Sequence, residues 1–247
     1  MESERCIPLA YRQELILRSE NIRRLNQVSA AYMEQHQRFA LLYPVDDVRP
    51  WAFQKVAQIM AFYRLSLCYS SGILSRTDNM GKILKPERFV RVSPAKAGLI
   101  LQEYEQYLTF SFFHVVFSSF ESSMRSVVAR VAIPNRKGKL CKETDKFSDI
   151  YHGLINFTGV DEKYRDLFEL LLLMRNCIHN RSVFYSDKGS KTVTYNNATY
   201  EFIQGEHINF ATIDFFFSLL LDVKQFFEEA FSSPCMMRVP HIKDNIL

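Results

Sequence analysis

The chain is expected to be all-α: a bundle of long helices with one small β-hairpin before the last helix. Three observations predict it. Apolar residues recur at spacings of three and four along most of the 247 positions. Glycine and proline number only 8 each, so helix breakers are sparse. Strand-like alternation is confined to one short stretch near residues 191–203. Hydrophobic residues make up 47%, with 21 Phe and 12 Tyr, which supports a packed core and excludes a disordered chain.

The first helix is expected from Ala10 to beyond Met33, because Leu15, Ile22, Leu25, Val28 and Tyr32 share one face. Glu14/Arg18 and Glu20/Arg24 are spaced for ion pairs on the other side. Tyr43 to Asp47 break the pattern. Pro50 then sits where a second helix can begin, with Phe53, Val56, Met60, Tyr63 and Leu67 on its inner face. Residues Ser75 to Val92 carry turn formers and charges, and read as a loop. Ser93-Pro94 is a start signal, a hydroxyl cap followed by proline in the first turn. The helix it opens runs to about Val131 on the stripe Phe110, Phe113, Phe117, Phe120, Met124, Val127 and Val131. Pro134 ends it. A polar, basic loop follows, then a short helix from Phe147 to Ile155. Asp161 caps a very apolar helix that runs to about Asn180.

Thr192 to Tyr195 and Thr199 to Phe202 alternate around Asn196-Asn197, the signature of a tight hairpin. Gly205 separates the hairpin from a last helix, Phe210 to about Phe231, stopped by Pro234. The division expected is a helical extension over residues 1–92, a helical domain over 93–234 and a loosely packed tail over 235–247.

Charge and cysteine usage narrow the function classes. The net charge of +4 permits a polyanionic partner without requiring one. Cys6, Cys68, Cys141, Cys177 and Cys235 are scattered, odd in number and unpaired in spacing, as free thiols of a reducing cytoplasm are. His36, His152, His207 and His241 lack ligand spacing, so no metal and no cofactor are expected. Met1 to Arg5 carry charges and no apolar signal region, and the runs Phe110–Phe117 and Phe215–Leu221 are too short to span a bilayer. A cytoplasmic protein without membrane contact is expected.

Chemistry concentrates at Leu171 to Asn180. Arg175 and His179 stand one turn apart, about 40 degrees around the helix, so they point the same way. Asn176 and Asn180 flank them. Histidine exchanges a proton near neutral pH, as removal of a ribose 2′-hydroxyl proton requires. Arginine presents a donor fork that matches phosphate oxygens. Asn176 can orient either group. On the long helix, His114, Ser118, Glu121, Ser122 and Arg125 form a polar strip. There Glu121 is placed either to serve Arg175 and His179 or to pair within its own helix with Arg125. Arg136, Lys137, Lys139, Lys142 and Lys146 make a basic loop that reads as an RNA contact or as a solvated turn.

Arg175-Asn176-Cys177-Ile178-His179-Asn180 at the end of an apolar helix resembles the motif of the HEPN (higher eukaryotes and prokaryotes nucleotide-binding) superfamily. Ser119-Phe120-Glu121-Ser122 is similar to the acidic helix of several of its families. The gap of three residues between Arg175 and His179 is shorter than the superfamily's usual one. Arg181 stands where toxins of this superfamily regulated through tyrosine carry that residue. The resemblance spans roughly residues 95 to 231. It implies a helical homodimer that joins two Arg/His motifs into one metal-independent RNA-cleaving site. It also implies a setting in phage defence or a toxin–antitoxin pair, with an antitoxin or other defence protein as partner. In that reading Arg175, Asn176 and His179 are catalytic, Glu121 assists, and Arg136, Lys137 and Lys139 hold RNA. The alternatives are a non-catalytic dimerisation or partner-binding module on the same helical face, and a helical protein with no site.

Overall fold

The computed structural model describes residues 9–74, 94–135 and 138–244. Among them are seven helices: α1 (Leu9–Ala40), α2 (Val48–Leu74), α3 (Pro94–Arg130), α4 (Phe147–Thr158), α5 (Lys163–His179), α6 (Ile213–Phe231) and α7 (Pro234–Met237). A two-stranded antiparallel hairpin, β1 (Lys191–Tyr195) and β2 (Ala198–Phe202), lies between α5 and α6. The all-α expectation is met. The expected loop Ser75–Val92 and the cap Ser93 lie outside the described residues.

The apolar stripes read from spacing are the buried faces. Leu25, Val28 and Tyr32 of α1 and Phe53, Val56 and Met60 of α2 are buried. Phe39 stacks on Phe53 at 5.3 Å, and Phe231 meets both rings edge-on. Tyr32 donates to the Leu220 carbonyl at 2.7 Å, joining α1 to α6. The first two helices thus share one core with the other described helices and the hairpin.

Helix α3 runs from Pro94 to Arg130 without interruption. Its Phe112 stacks on Tyr63 of α2 at 4.3 Å, and its Phe113 meets Phe216 of α6 at 4.3 Å. Along α5 it runs antiparallel, which three steps show. His114 meets His179, Phe117 lies under Arg175, and Phe120 packs on Phe168.

Local chemistry sets the ends of the shorter elements. The cap position of α5 falls on Glu162, one residue after the expected Asp161, and Glu162 makes no side-chain cap bond; Asp161 instead accepts the Lys163 N–H at 2.8 Å from just outside the helix. Asn196 and Asn197 both take positive φ, +48° and +61°, as the two central residues of a type I′ turn must. Val193, Tyr195 and Phe202 turn inward. Helix α6 begins at Ile213, three residues later than the pattern suggests, because Thr212 accepts the Phe215 N–H as cap. Phe210 packs instead against Tyr200 and Phe202 of the hairpin.

The tail differs from expectation. Pro234 opens α7, and Met236, Ile242 and Asp244 are fully buried. The cause lies at the start of α2. Arg49, paired with Asp47 at 2.6 Å, donates to the Met236 and Val239 carbonyls, and Asp47 accepts the Ile242 N–H. A buried ion pair needs further polar partners, and the tail's backbone supplies them. No helix of the described residues is long and apolar enough to cross a membrane.

Candidate functional site

The site is built where α5 ends. Leu170, Leu171, Met174 and Cys177 are buried, whereas Asn176, His179 and Asn180 face outward. The helix closes with the Arg181 N–H on the Ile178 carbonyl and the Ser182 N–H on the Cys177 carbonyl. This is a Schellman turn with Arg181, φ +54°, in the place glycine usually fills. Ser182, at φ +68°, follows in the same left-handed region. Each such residue costs of order 1–3 kcal/mol and persists only where its surroundings hold it. Here the Ile208 N–H bonds the Ser182 carbonyl at 3.0 Å and clamps the turn.

His179 meets a second histidine. The His114 ring, from the middle of α3, lies 4.8 Å away, edge to face at 79°. Its Nδ1 is sealed from solvent without a hydrogen-bond partner. Both rings line an open groove of about 720 Å3, together with Glu103, Tyr107, Ser111 and Arg181. Partial desolvation at the groove wall lowers the proton affinity of His179, and the electrostatic influence of the neighbouring His114 and Arg175 lowers it further. Near neutral pH its imidazole is therefore uncharged and has a nitrogen free to accept a proton.

Arg175 sits one turn deeper. Its guanidinium lies over the Phe117 ring, 5.1 Å from the centroid, with Nε buried and unbonded. It does not line the groove; it acts on His179 through its charge. Asn176 is exposed and its carbonyl takes the Asn180 side-chain amide at 3.1 Å, a helix-end bond. Glu121 binds Arg125 at 2.5 Å, the pairing within one helix. Arg125 in turn donates to the Glu143 and Asp145 carbonyls and ties down the basic loop. The antiparallel register explains why Glu121 serves neither motif residue: it falls beyond Arg175, toward Phe168. Lys139 is exposed on that loop and does not line the groove, and Arg136 and Lys137 lie outside the described residues.

The structure thus gathers His179, His114 and Arg181, and leaves Asn176 and Glu121 apart from them. The His114 partnership could not be read from spacing within one helix. Its signal was an imidazole inside the greasy run Phe110–Phe117, at the head of the polar strip on that helix. Among the described residues no cluster of three or more His, Cys, Asp and Glu could hold a metal ion. The chain matches no family model, no curated protein and no solved structure.

Proposed function

We propose that the chain is a metal-independent endoribonuclease of HEPN type, acting in phage defence or a toxin–antitoxin system. The observation that carries this reading is the His114–His179 pair over an open groove that Arg181 also lines. Cleavage of RNA by its own 2′-hydroxyl needs one group to take a proton and another to give one. His179, with its lowered proton affinity, is the base. It takes the 2′-hydroxyl proton as the 2′ oxygen bonds to phosphorus. His114, beside it on the groove wall, is the group placed to return a proton to the departing 5′ oxygen as that P–O bond breaks. The products are a 2′,3′-cyclic phosphate and a free 5′-hydroxyl. Arg181 stabilises the charge gathered on the phosphoryl oxygens. Arg175 keeps His179 uncharged from below. A homodimer would widen the groove with a second copy's motif, and an antitoxin or other defence protein would cover it.

A second reading has one observation in its favour. Arg175, the motif's phosphate ligand, rests on Phe117, as a residue of a non-catalytic dimerisation or partner-binding module would. Incubation of the purified chain with total RNA separates the two. Wild type should yield fragments with cyclic-phosphate ends, and His179→Ala and His114→Ala should each lose about 10²- to 10⁴-fold in rate with the fold intact. Undiminished cleavage in both variants, or none in wild type, leaves the module reading.

A further inference from the structure

A second cavity adjoins the histidine groove. It measures about 350 Å3, within the roughly 300–1,000 Å3 typical of small-molecule sites. Gln106, Phe110 and Ile178 line both spaces, so one layer of side chains divides them. The cavity's far walls are apolar and aromatic: Phe113 and Phe216, whose rings are 4.3 Å apart, with Met174 and Ile213. Thr109 and Thr212 also line it, but their hydroxyls serve Glu105 and Phe215 backbone groups. Gln106 and Ser182 remain as the polar groups at its edge. The left-handed turn after α5 serves both spaces at once, with Arg181 on the groove and Ser182 on the cavity.

We infer that this cavity receives the nucleobase next to the phosphate held at the histidine pair, and so sets which base precedes or follows the cut. The inference rests on the ribonuclease reading for its substrate class. A flat heterocycle can stack on Phe110, the half-buried ring of the dividing wall, and its polar edge needs a few donors and acceptors on one side only. Gln106 and Ser182 offer that edge. An anionic group attached to the base reaches the neighbouring groove across the shared wall. One nucleotide therefore fills both spaces, with its phosphate beside His114, His179 and Arg181.

Calorimetric titration of the full chain with the four nucleoside 3′-monophosphates and with ribose 5-phosphate tests this. At least one nucleotide should bind about tenfold or more tighter than ribose 5-phosphate, the gain expected of one stacked base. Ala211→Trp puts an indole into the cavity from the loop before α6, and should cancel that advantage while leaving ribose 5-phosphate binding unchanged. Gln106→Leu, at an exposed rim position, keeps the fold and should change which base is preferred. Equal binding of all five ligands to wild type overturns the inference. So does an Ala211→Trp protein that is folded and keeps the base advantage. A base advantage without RNA cleavage would retain the cavity's role and remove the ribonuclease. Cleavage without a base advantage would do the reverse.

Discussion

His179 gives the site its pH dependence, and the sign follows from three named causes. Burial, the His114 ring and Arg175 all disfavour its cation, so its folded-state value lies below the ordinary 6.5. The unfolded chain binds that proton more readily. The contribution to stability is therefore complete above about pH 6.5 and is lost as pH falls through the lower folded value. Ring-proton NMR should find His179 titrating below 6.5, and His114→Ala should move it upward. The acid limb of kcat/KM for RNA should move with it. A His179 that titrates at or above 6.5 would remove its assignment as base. At this scale the sequence was readable in kind but not in depth. Spacing placed Arg175 and His179 on one side of α5. Only the register against α3 puts Phe117 under the first and His114 beside the second. Glu121 is the mirror case: of the two uses its position allowed, the purely local i,i+4 pairing with Arg125 is the one the structure shows.

Elements were more legible than sites, because helical periodicity and turn chemistry are local. The stripes of α2 and α3 and the Asn196-Asn197 turn follow from such signals. Caps were less legible, and Thr212 is one: its replacement by alanine should cost about 1 kcal/mol in urea unfolding, since the Phe215 N–H loses its acceptor. Gly153 in α4 poses a sharper question. Alanine would favour the helix by about 1 kcal/mol. Its Cβ would, however, stand 2.8 Å from Cys141 Sγ and 3.2 Å from the Pro134 carbonyl oxygen. That loop is held by the bond from the Cys141 N–H to the Ile133 carbonyl, so it has little room to retreat. Overpacking costs about 1–3 kcal/mol, and Gly153→Ala should be destabilising on balance. A gain in Tm would mean that the loop yields.

The whole molecule is closed by the contact least visible in the sequence. Residues 235–247 show no apolar period, so nothing local marks them as packed; what holds residues 235–244 is mostly backbone. Arg49 and Asp47 are both fully buried, and the guanidinium also covers the Tyr43 ring at 3.3 Å. Arg49 spends its remaining donors on Met236 and Val239, some 190 residues away in sequence. The Ile242 carbonyl accepts the Val48 N–H at 2.8 Å, so the start of α2 and the tail stabilise each other. Removing one charge is the severe change. Asp47→Asn keeps the shape but strands a buried guanidinium, which should cost about 3–5 kcal/mol in urea unfolding. Replacing both residues, Asp47→Leu with Arg49→Met, removes the stranded charge and should recover much of that loss. The two single variants should then be far from additive in a double-mutant cycle. Hydrogen exchange at the Val48 amide locates the effect. If Asp47→Asn speeds exchange there while the urea midpoint stays put, the clasp is a local fastening. If both change together, the tail belongs to the same cooperative unit as the core, which is the outcome the shared burial of Met236 and Ile242 predicts.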